Sequence, residues 1–157
     1  MKLTFETTQQ YTGLPEVTIT VPLDSKGATA EVKITRLLNL EMKTDILFYM
    51  GKMLEAFAGQ LGEEVDDEEL ASELTGHALI LALLHVATDV ELPPIEDVED
   101  TLTMYRWLLE TQILDAILAE MPPNTTKEIL DFVNLTVGET EKRMENAEQS
   151  GGVSPTN

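Results

Sequence analysis

No cysteine occurs among the 157 residues. Disulfide frameworks, thiolate nucleophiles and thiolate metal cages are all excluded, a pattern that suits a reducing compartment. Histidine occurs twice, as His77 and His85. A di-iron bundle needs a Glu-x-x-His motif on each of two helices, and neither histidine has a glutamate three residues before it. Glu73 precedes His77 by four and Asp89 follows His85 by four, spacings that allow a side-chain hydrogen bond in a structural role. Long apolar runs are missing too. None reaches the roughly 18 residues of a membrane span, and MKLTFETTQQ has no apolar leader core. The expectation is a soluble, cytoplasmic protein.

Basic residues are scarce and unevenly placed. The net charge is −19, but residues 1–60 carry six basic and seven acidic side chains, whereas residues 61–157 carry four basic and 22 acidic ones. Between Lys52 and Arg106 there is no basic residue, and fourteen carboxylates fill that gap. A field of this sign repels phosphate backbones and anionic membranes, so neither is an expected partner. A protein with basic character is the natural complement.

The acids do not form a recognisable metal or catalytic motif. Neither EEVDDEELASEL nor DVELPPIEDVED has the alternating oxygen ligands and central glycine of a calcium loop. The serine-containing stretches 24–27 and 70–74 do not resemble a nucleophile elbow. Gly51-Lys52 lacks the upstream glycine of a phosphate loop. The expectation is a non-enzymatic protein that needs no cofactor and no metal.

What is present is patterned. Leu3 and Phe5 alternate with polar residues, as do Val17, Ile19 and Val21, then Ala30, Val32 and Ile34. Period-two alternation rich in β-branched residues predicts strands. Pro22, Asp24 and Gly27 between them supply turn chemistry. Residues 16–35 thus read as a β-hairpin, with residues 2–7 as a candidate third strand.

From residue 41 the apolar period becomes helical. Within 42–61, Ile46, Met50, Met53, Leu54, Phe57 and Leu61 share a stripe. Phe48 projects from the opposite side, where it is either covered by the hairpin or exposed as an anchor for a partner. The stretch 63–86 opens with seven carboxylates in eleven positions and ends in ALILALLHV. Asp66 or Asp67 can cap a helix there, the acids complement its dipole, and the apolar end reads as buried all round. Pro93-Pro94 introduces a helix spanning 95–121 with two stripes. Ile95, Val98, Leu102, Tyr105, Leu109, Ile113, Ala116 and Ile117 form one, and Trp107, Leu114, Leu118 and Met121 the other. Two stripes mean two neighbours, either within a bundle or shared with a subunit interface, which leaves a homo-oligomer open. After MPPNTT, Thr125 and Glu128 fit a capping box, and Ile129, Phe132, Val133 and Val137 define a last helix.

The fold class expected is therefore α+β and predominantly helical, a hairpin packed on four to five helices. Residues 1–138 form one domain (1–36 β-rich, 41–138 helical), followed by a frayed helix and disordered polar tail over 139–157. The candidate partner-binding residues are Phe48, Met50, Met53, Trp107, Leu114, Leu118 and Met121. Methionine repacks readily and suits surfaces that accept varied clients.

This layout resembles the tail assembly chaperones of long-tailed, siphovirus-type bacteriophages. The likeness runs from VTITVPLDSKGATAEVKIT through the helices between MKTDILFYMGKMLEAFAGQ and KEILDFVNLTVGE to the polar ending EQSGGVSPTN. It is a likeness of plan, and no individual residue is carried over by it. It implies a protein that keeps a hydrophobic tape measure client soluble and assists tail-tube assembly in the host cytoplasm. It also implies a longer second form made by ribosomal frameshifting. Two other expectations stand beside it. One is an acidic decoy of the anti-restriction or anti-CRISPR type that occupies a DNA-binding protein, and the other is a structural or adaptor component of a virion.

Overall fold

The computed structural model describes residues 16–61 and 68–150. Residues 2–7, the acidic stretch 62–67 with Asp66 and Asp67, and the ending 151–157 lie outside the described residues. Within them the protein is α+β and mostly helical, as the periodicity predicts: a two-stranded antiparallel hairpin followed by five helices. Backbone contacts divide the chain into two units, Met1–Pro122 and Pro123–Asn157.

In the first unit, β1 (Glu16–Pro22) pairs with β2 (Thr29–Thr35). Val17 faces Ile34, Ile19 faces Val32 and Val21 faces Ala30, so one face collects these six apolar side chains. The register follows from the pattern, because a one-residue slip would turn that whole set to solvent. The turn is fixed chemically. The Lys26 and Ala28 N–H groups both donate to Asp24 Oδ1, at 2.8 and 2.9 Å. Gly27 takes φ +96°, a conformation that side chains disfavour. The outer edge of β2 is covered by residues 88 and 89. Ile34 bridges Thr88, Asp89 N–H donates to the Lys33 carbonyl, and Lys33 N–H donates to Asp89 Oδ1 at 2.8 Å.

Helix α1 (Leu40–Leu61) starts where the Asn39 side chain accepts the Met42 N–H at 2.8 Å, satisfying a donor that the first turn leaves open. Its stripe of Ile46, Met50, Met53 and Phe57 is buried. It packs against α2 (Glu68–Ala87), in which Ala78, Leu79, Leu81, Ala82, Leu83, Leu84 and Ala87 are buried. By length and composition Glu69–Ala87 could also cross a membrane. Its apolar run is interrupted by Ser72, Glu73, Thr75 and His77. Here the buried side chains of α2 belong to the core of a packed unit.

The single helix expected over 95–121 is in fact two. Residues 95–97 precede the helix rather than begin it. Helix α3 (Val98–Glu110) ends when Thr111 Oγ1 donates back to the Trp107 carbonyl at 2.7 Å and Gln112 adopts the left-handed conformation, φ 59°. Helix α4 (Ile113–Glu120) then starts in a new register. The break rearranges both expected stripes. Leu109 is exposed and its neighbour Leu108 is buried, while Ile113, Leu114 and Ile117 are buried together. Helix α4 packs on the hairpin, contacting β1 and β2. Arg36, just past β2, donates from Nε to the Glu120 carbonyl at 2.8 Å, placing a cation at the negative end of that helix.

The second unit is helix α5 (Thr125–Ser150). Its backbone stays helical through Gly138 to Ser150. Lys127 and Asp131, one turn apart, pair at 2.8 Å on its surface.

Candidate functional site

The seven candidate residues separate by burial. Met50, Met53, Leu114 and Met121 are buried in the first unit, and Leu118 is half-buried. The four buried side chains pack the interior instead of offering a surface to a partner. A methionine pair on one helix face is as serviceable for filling a core as for gripping a client, and here the core takes it. Phe48 and Trp107 stand apart, 65% and 39% exposed. The hairpin does not cover Phe48.

Phe48 lies on the lip of an open groove of about 820 Å³ within the first unit. Helix α1 supplies one wall with Glu41, Asp45, Phe48, Tyr49 and Lys52. These positions fall on adjacent turns because three- and four-residue spacings return to the same side of a helix. The end of α2 supplies His85 and Val86, and Leu92, Pro93, Pro94 and Ile95 close the far side. In the sequence Pro93-Pro94 signals a break and the start of a new helix. Flanked by Leu92 and Ile95, it is also a stiff apolar wall without two backbone donors.

The floor is fixed by ring packing. Tyr49 is buried and stacks on the His85 imidazole, with centroids 4.1 Å apart and planes 17° from parallel. Burial raises the Tyr49 hydroxyl above its ordinary pKa, which keeps it a neutral phenol. His85 sits in the last turn of α2. On the lip, the Lys52 ammonium lies 4.6 Å from the centroid of the Phe48 ring. This cation–π contact, worth about 0.5–1 kcal/mol at an exposed site, occupies one face of the ring. Glu41 and Asp45 are exposed, and neither has an ion-pair partner among the described residues.

A second polar pair lies away from the groove. His77 Nδ1 and the Tyr105 hydroxyl are 3.0 Å apart and link α2 to α3. Tyr105 is buried, and burial raises its pKa as well. The four-residue spacings to Glu73 and Asp89 are not what engage the histidines. His77 meets Tyr105, His85 meets Tyr49, and Asp89 turns to the backbone of β2. Among the described residues no three histidines or carboxylates gather in a group that could hold a metal ion.

The groove therefore offers aromatic and apolar surface rimmed by two carboxylates, an ammonium and an imidazole. Its volume lies in the range of pockets that take ligands or side-chain anchors. Comparison with family models, curated proteins and solved structures finds no match for this chain.

Proposed function

We propose that the protein is a non-enzymatic assembly chaperone that holds an apolar segment of a protein client in the groove beside Phe48. The tail assembly chaperones it resembles in plan make a phage tape measure protein the client of choice, acting in the host cytoplasm. The observation that carries this reading is the exposure of Phe48. A phenylalanine left 65% in water gives up roughly 1–2 kcal/mol of burial, which a client can recover on binding. The acidic surroundings add solubility to a loaded complex.

Co-expression with a tape measure fragment tests the reading. The intact chain is expected to keep the fragment in the soluble fraction, and Phe48→Asp to lose most of that effect while remaining folded by circular dichroism. Equal recovery of the fragment with and without the chain would overturn it. The charge distribution favours a second reading, an acidic decoy for a DNA-binding protein. That reading requires binding to such a protein to weaken steeply with salt.

A further inference from the structure

We propose that the groove selects a helical, amphipathic segment carrying a lysine or arginine one turn from its large apolar anchor. The inference rests on the reading of this protein as one that binds a protein client, and it specifies the client's chemistry.

Glu41 and Asp45 project along the groove side of α1, one turn apart, exposed and without an ion-pair partner among the described residues. Of the two lysines on α1, Lys43 does not line the groove, and Lys52 is engaged over the Phe48 ring. The groove thus presents two carboxylates unneutralised beside an apolar anchor point. A chain of net charge −19 reinforces that local field. An acidic or phosphorylated segment would be repelled, and a purely apolar one would leave the carboxylates partly desolvated with nothing to pair.

The walls also select a conformation. They are built from α1, the end of α2 and the Pro93-Pro94 stretch. None of these is a strand edge, and prolines have no N–H to donate, so an extended peptide could not add to the groove by backbone pairing. Recognition has to come from side chains on one face, which is the helix-in-groove mode. The spacing agrees. At about 1.5 Å of rise per residue, Asp45 lies about 4.5 Å along the axis from Phe48, and Glu41 about 6 Å further. A client helix with its cation three or four residues from its anchor spans the same step.

The test uses the full chain and two labelled synthetic amphipathic peptides, identical except that one carries lysine and the other glutamate one turn from a central leucine-phenylalanine face. Fluorescence anisotropy is expected to show the lysine peptide binding about tenfold more tightly at low salt, with the difference shrinking as salt is raised. Charge reversal by Glu41→Lys with Asp45→Lys is expected to invert the preference, and Asp45→Asn to reduce it. Phe48→Ala is expected to weaken both peptides. Equal affinities for the two peptides, no binding of either, or an unchanged order in the charge-reversed variant overturns the proposal. If the peptides behave as expected but a tape measure fragment is not kept soluble, the groove's selectivity stands and the tail-assembly reading falls. If the fragment is kept soluble with no lysine preference, the tail-assembly reading stands and the selectivity falls.

Discussion

Thr101 is fully buried on α3, and its hydroxyl has no hydrogen-bond partner among the described residues. An unmet buried hydroxyl costs about 1–3 kcal/mol, and valine has the same branched shape without that polar group. Thr101→Val is therefore expected to raise the urea midpoint, by about 1 kcal/mol of stability. A lowered midpoint would show that the hydroxyl is satisfied in solution. Tyr49 and Tyr105 present the converse case, polar groups whose burial favours the neutral form. Both pKa values are raised in the folded chain, so the protons are held more tightly folded than unfolded. Stability is untouched below the unfolded value near pH 10 and falls as the pH rises through the raised folded values. Thermal melts from neutral to alkaline pH are expected to show that decline, and the double variant Tyr49→Phe with Tyr105→Phe to flatten it. An unchanged decline would place its cause elsewhere.

Helix boundaries in this protein depend on single side chains. Asn39 closes the N-terminus of α1, the helix that carries both the core stripe and the groove wall. Asn39→Ala is expected to cost about 1 kcal/mol, measured by denaturant unfolding, and Asn39→Asp to be tolerated because a carboxylate suits that helix end. If alanine proves neutral, water replaces the cap. The break between α3 and α4 depends on Gln112, a residue without glycine's freedom at φ 59°. Left-handed backbone of this kind costs an ordinary residue about 1 kcal/mol. The packing of α4 holds the strain in place, since this helix buries Ile113, Leu114 and Ile117 only after the register has been reset.

At the scale of the whole chain the charge is concentrated in one part of the sequence, with 22 of its 29 acidic residues after residue 60. Like charges this dense repel one another in the compact state, and the repulsion is screened over about 10 Å at 0.1 M salt. Thermal stability is therefore expected to rise as sodium chloride is added up to physiological strength. A flat salt response would mean that the acids are already compensated. The ion pairs of Lys33 with Glu16 and of Lys127 with Asp131 are exposed and do little to offset the field. The same field that burdens the isolated chain favours a basic client.

The hairpin over 16–35, its turn at Asp24 and Gly27, and the onset of helices near residue 40 and after Pro122-Pro123 were all legible in the chain. Each is set by neighbours within a few residues: strand alternation, an Asx turn, a missing N–H. The apolar stripe of α1 was legible for the same reason. Tertiary structure decided what lies over each stripe. It buried Met50, Met53, Leu114 and Met121, left Phe48 in water, and joined Tyr49 to His85 and His77 to Tyr105 across distant stretches. The stop at Thr111 and Gln112 carries no glycine or proline to announce it, and only the packing of α4 on the hairpin explains it. Periodicity reports that a face is apolar. Whether that face meets a core, a groove or solvent is a long-range matter, settled by which other faces compete to cover it.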